Sequence, residues 1–197
     1  MHASEEPLGV MFGPDQVTNR PELAIKIARI ANAWAVLEAS AGTCLGVLMR
    51  AEPKAAIAML SKVQTATAKS QAIREVGKAV LAEADFVQLK ELFRRFDALA
   101  KPRNDVMHGL WGTTPEWPEH LIRAPADVTT NTILGLMDEH LTGKGDEFLE
   151  QQKKRFEVWT ADRFDELFSD ILALIGDLGR FVAHQRMATA MSSMARR

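Results

Sequence analysis

The chain has 197 residues, 47% of them hydrophobic and 25% charged, with a formal net charge of −2. Those proportions describe an ordinary soluble globular domain, one that buries roughly 70% of its unfolded surface and needs no metal or disulfide staple. The single cysteine, Cys44, excludes an internal disulfide and a cysteine-only zinc site, the absence of tyrosine excludes tyrosine acid–base chemistry, and the near-neutral charge argues against a broad basic surface while leaving room for a small basic cleft.

Residues 1–20 read as an irregular lead-in punctuated by Gly9, Gly13 and Pro14. The stretch Met1–Pro7 is acidic and lacks the apolar segment of a signal peptide, which sets the expectation of a cytoplasmic protein. Pro21 suits the first position of a helix. From there Leu23, Ile27, Ile30, Trp34, Leu37, Ala41, Leu45 and Leu48 recur at steps of three and four, one face of a long helix. Its part Ile30–Met49 is apolar enough to be weighed as a membrane span. A carboxylate near the centre of a span, as Glu38 would be, costs about 2.5–3.5 kcal/mol. Asn32, Ser40 and Thr43 add polarity, so the segment reads as a buried bundle helix and no membrane is expected. Its alanines and Gly42 predict close approach of a neighbouring helix.

A second helical region spans about Pro53–Ala84, with a break expected near Ala68–Ser70. A further helix is predicted from Asp85, a good N-cap. Its stripe is Phe86, Leu89, Phe93, Phe96, Ala100, Arg103, Met107 and Leu110, and Pro102 inside it is expected to produce a kink. After Gly109 the run Trp111–Glu119 is turn-rich and aromatic. His120–Arg123 and Glu157–Thr160 read as strands of a small two-strand ribbon. Between them a partial helix is expected over Asn131–Leu141, a loop over Thr142–Asp146 and a charged helix over Glu147–Phe156. Thr160 then caps a final helix whose seam is Phe164, Leu167, Phe168, Ile171, Leu174, Ile175, Leu178, Phe181 and Val182. The Met-, Ser- and Arg-rich tail Arg186–Arg197 is expected to fray. The predicted organisation is a lead-in over 1–20, a helical domain over 21–190 and a flexible tail over 191–197. The fold class is all-α, an antiparallel up-and-down helical bundle with a small two-strand β ribbon between its last two main helices.

The stretch Leu99–Gly109 carries the chemistry. Asn104 and His108 are four residues apart and superimpose on one helix face, so the amide is placed to orient the imidazole. Arg103 and His108 are about 140° apart around the wheel, within the swing of a guanidinium. Arg103 also occupies the phase of the apolar stripe, where a charge must pair with a carboxylate or face an interface or cleft.

Arg103-Asn104-x-x-x-His108 near the end of a bundle helix resembles the R-x4-6-H signature of the HEPN superfamily, with Asn104 as the polar residue after the arginine. Gly109 and Trp111 resemble the HG-x-W continuation, and a long last helix after a short extended segment is similar too. The resemblance covers residues 21–190 as architecture, and its specific part is about ten residues. It implies a two-fold homodimer whose motif helices line a composite cleft. It also implies a metal-independent endoribonuclease, in which the RNA 2′-hydroxyl attacks the adjacent phosphate to leave a 2′,3′-cyclic phosphate and a 5′-hydroxyl. If the chain is a toxin, the resemblance implies a separate antitoxin protein as its partner.

The residue types suit that chemistry. An imidazole, with an ordinary pKa of about 6.5, exchanges a proton at neutral pH. A guanidinium fork holds phosphate oxygens and stabilises the charge that builds up on them. Arg103, Asn104 and His108 are therefore the candidate catalytic residues. Lys101, Arg95 and Trp111 are the candidates for substrate binding, with Lys90 and Arg94 adding to a local basic lining.

Each residue also has a plainer reading. Arg103 fits an internal ion pair, with Glu38 as one partner; His108 fits a helix C-terminus; Asn104 fits a local hydrogen bond. Trp111 and Trp117 either stack on bases or cover the end of the bundle. Gly143-Lys144-Gly145 lacks the rest of a phosphate loop and reads as a turn. His2, His120, His140 and His184 show no ligand spacing, so neither a metal nor another cofactor is expected. Cys44 reads as an inert core thiol, and Lys153-Lys154-Arg155 as a solvated face. The leading expectation is an RNA-cleaving homodimer in a toxin or defence setting. The alternative is a non-catalytic helical dimer acting as a regulatory, nucleotide-binding or protein-interaction module.

Overall fold

The computed structural model describes residues 9–13, 15–125, 128 and 154–194. In chain order it contains β1 (Met11–Phe12), α1 (Asp15–Thr18), α2 (Pro21–Met49), α3 (Pro53–Leu60), α4 (Ala66–Val80), α5 (Glu83–His108), β2 (Leu110–Thr113), β3 (Leu121–Ala124), β4 (Glu157–Trp159) and α6 (Ala161–Met194). The fold is mostly α with one small antiparallel sheet.

Several boundaries differ from the sequence reading. The lead-in contains a strand, because β1 pairs with β2 through Met11 with Thr113 and Phe12 with Gly112. The break after α3 falls at residues 61–65, not at Ala68–Ser70. The Thr65 hydroxyl caps α4 by accepting from the Ala68 backbone N–H at 3.1 Å, and a cap there outweighs the weak helix preference of the Ser and Thr residues that follow. Helix α5 starts at Glu83, so Asp85 sits in its first turn instead of capping it. The ribbon has four strands in the order β1-β2-β3-β4, since part of the turn-rich run after Gly109 is itself a strand. The terminal helix continues to Met194, past the start of the expected fraying. The elements expected over 131–141 and 142–146, Gly143-Lys144-Gly145 among them, and most of the helix expected over 147–156 lie outside the described residues; the described end of that helix, 154–156, is turn and coil and not helix, because it leads directly into β4.

Contacts divide the chain into two compact units. One comprises Met1–Arg29 and Asn104–Glu166, the other Ile30–Arg103 and Leu167–Arg197.

The second unit is helical, and its directions follow from its contacts. Gly42 faces Ile57 and Gly46 faces Pro53, which makes α3 antiparallel to α2. Gly77 faces Leu89, whereas Ser70 and Arg74 reach Asp97, so α4 and α5 are antiparallel. Arg95 pairs with Asp177 and Asp85 faces His184, so α5 and α6 are antiparallel as well. This is the expected up-and-down arrangement. A Cβ on Gly42 would stand 2.7 Å from Ile57 Cγ1, so the close approach predicted for that glycine is real. Ile30, Leu37, Ala41, Leu45, Ile73, Leu89, Phe93, Phe96, Ile171 and Leu174 fill the interior. Cys44 lies among them, and burial pushes its thiol up to about 12.

The first unit is built on the sheet. Its pairs run Trp111 with Arg123 and Ile122 with Val158. Trp111, Trp159 and Phe164 pack ring to ring, with centroids 4.9–5.8 Å apart. Thr160 caps α6 by accepting from the Arg163 backbone N–H at 3.2 Å, as the sequence predicted.

Candidate functional site

Helix α5 carries the whole motif, and the helix runs unbroken through Pro102. Proline removes one backbone donor but does not end the helix here. Asn104 and His108 are exposed, one turn apart, at the C-terminal end of α5. Val106 between them is 1% exposed and anchors that turn.

Arg103 is half-buried. Its guanidinium carbon stands 5.4 Å from the centroid of the Trp34 ring, a cation–π contact within the second unit. Glu38, considered as its partner, instead pairs with Lys69 at 2.5 Å.

Two of the three expected substrate-binding residues are engaged elsewhere. Trp111 is buried on β2, and its indole N–H donates to the Val106 carbonyl at 3.3 Å, a packing position and the second of the two readings given for it. Arg95 is held at 2.6 Å by Asp177, which Arg180 also approaches. Those arginines hold the Asp177 carboxyl below its usual range. Lys101 is exposed on α5.

No family model, no curated protein and no solved structure matches this chain. The site therefore stands on its own residues. Among the described residues, no group of three His, Cys, Asp or Glu side chains is placed to hold a metal ion. Among the described residues one helix, α2, is long and apolar enough to cross a membrane, and half of its apolar window is buried within the protein.

Sequence reasoning missed Arg123. It lies on β3, where all four positions are buried, and its side chain is 4% exposed. Its fork donates to Asp105 at 3.2 Å and to Glu157 at 2.8 Å, and Arg163 donates to the second Glu157 oxygen at 2.9 Å. Burial alone would raise Glu157, but the hydrogen bonds from Arg123 and Arg163 outweigh it and pull the carboxyl below the usual range. The one available signal was a charged residue at the end of the predicted strand His120–Arg123, where the side chain opposite Ile122 is assigned to solvent by strand alternation.

Proposed function

We propose that this chain is a metal-independent endoribonuclease of HEPN type, cytoplasmic and acting as a homodimer on RNA. The observation that carries the reading is the exposed Asn104–His108 pair, one turn apart on a helix that stays continuous through Arg103 and Pro102. In this reading one His108 imidazole takes the proton of the RNA 2′-hydroxyl as its oxygen attacks the adjacent phosphorus. The bond to the 5′-oxygen breaks, and His108 of a second copy supplies that oxygen with a proton. Arg103 stabilises the charge on the non-bridging oxygens and Asn104 orients the imidazole. The products are a 2′,3′-cyclic phosphate and a 5′-hydroxyl. Exposed Lys101 adds attraction for the RNA backbone. A toxin paired with an antitoxin protein is the setting this activity suits.

The test is incubation with RNA in EDTA, comparing wild type with Arg103→Ala and His108→Ala. Cleavage by the wild type, its loss in both variants and resistance of a substrate with a 2′-deoxy sugar at the cut site are the expected results. Cutting that survives both substitutions, or a wild type that does not cut, sinks the reading.

A second reading has its own observation. Arg103 lies against the ring of buried Trp34, a contact that serves packing whether or not RNA is present. It favours a non-catalytic helical dimer that binds a nucleotide or another protein. In that case Arg103→Ala lowers stability and the wild type binds without cleaving.

A further inference from the structure

We propose that Arg123 is a positioning residue that holds the C-terminal turn of α5, and with it His108, in place. The proposal rests on the ribonuclease reading for its functional consequence. It rests on the first unit alone for its geometry.

Arg123 reaches the turn in two ways. Its fork donates to the Asp105 carboxylate, on the turn that ends at His108. Its aliphatic stem runs against Gly109, the residue after the histidine. A Cβ on Gly109 would lie 2.6 Å from Arg123 Cγ and 2.8 Å from Cδ. Only a glycine lets the stem cross so close to the helix end. The Gly109 backbone N–H donates to the Asp105 carbonyl at 3.1 Å, which closes the last turn over the same residue.

Arg123 is itself fixed from the other side. Glu157 on β4 accepts from Arg123 through one oxygen and from Arg163 through the other. Arg163 in turn donates to the Val158 carbonyl at 3.1 Å and lies 4.0 Å over the Trp159 ring. The chain Arg163–Glu157–Arg123–Asp105 thus ties the motif turn to the sheet through charge-assisted hydrogen bonds, one of whose members is almost wholly out of water. Val106 packs the same turn from the apolar side. A rigid support behind an exposed imidazole is what a proton-transferring group requires, because small errors of placement are costly.

The experiment uses the full chain and two variants that keep size, Asp105→Asn and Arg123→Lys. Amide hydrogen exchange and the His108 ring signals are read by NMR, and kcat and KM are measured on RNA in EDTA. Asp105→Asn is expected to speed exchange at Val106–Gly109 by about tenfold, the weight of one charge-assisted hydrogen bond, and to shift the His108 ring signals. Amides of Leu89 and Phe93 keep their protection. In the same variant kcat falls by about tenfold while KM stays within about twofold, and the retained protection at Leu89 and Phe93 separates this from a smaller folded fraction, which would also lower apparent kcat at constant KM. Arg123→Lys, which keeps the charge but not the fork, gives the same pattern. Exchange and ring signals that match the wild type overturn the proposal, as does unchanged kcat in a variant whose helix end has loosened. A wild type that does not cut RNA, with exchange and ring signals that respond as expected, removes the ribonuclease reading and leaves the hold on the helix end standing.

Discussion

The guanidinium of Arg103 lies over Trp34, 5.4 Å from the centroid of a ring that is 3% exposed and also packs against Phe96 with centroids 5.1 Å apart. A cation–π contact of this kind is worth about 0.5–2 kcal/mol. Arg103→Ala is expected to lower unfolding stability in urea by that amount. Arg103→Lys retains a cation and recovers most of it. If cleavage needs the planar fork, Arg103→Lys keeps its stability and loses activity, which separates the residue's two roles in one variant.

Gly109→Ala introduces a Cβ 2.6 Å from Arg123 Cγ and 2.7 Å from the Asp105 carbonyl oxygen. The backbone oxygen cannot step aside cheaply. The expected loss is about 1–3 kcal/mol, the usual cost of overpacking, read as a fall in Tm.

Cys44 is 1% exposed, and its thiol is pushed up to about 12 by burial. The nucleophile is the thiolate. Iodoacetamide at pH 8 should therefore leave the native protein unmodified over hours and alkylate it promptly in denaturant. Rapid native labelling would show that the packing of α2 around this residue is wrong.

Glu157 is held below its usual range in the folded protein by Arg123 and Arg163, against the effect of burial. A group whose folded pKa is depressed stabilises the fold above its unfolded pKa, about 4.3, and loses that contribution as pH falls through the folded value. Stability measured by urea unfolding should be level from pH 7 to pH 5 as far as this group is concerned, and drop below about pH 4. Glu157→Gln should be less stable at pH 7 and show a shallower drop in acid. A variant whose acid limb is as steep as the wild type's would assign the transition to other carboxylates.

The sequence by itself determined the helices. The spacing in Leu23 to Leu48 and in Phe164 to Val182 can be buried on one side only, and a helix is the conformation that gathers it. It also determined the Thr160 cap, the buried state of Cys44 and two strands, because these depend on residues near one another in the chain. The tertiary structure decided what depends on distant partners. Trp111 was left between stacking on bases and covering the end of the bundle, and it packs on Trp159 and Phe164, which come to it from about fifty residues away. Met11–Phe12 became a strand only because β2 offers an edge to pair with. Arg123 sat in a predicted strand with no visible role, and Asp105, Glu157 and the bare backbone of Gly109 gave it one. Periodicity records which side of an element avoids water; the identity of the group waiting on that side is set by packing between segments that the linear order keeps apart.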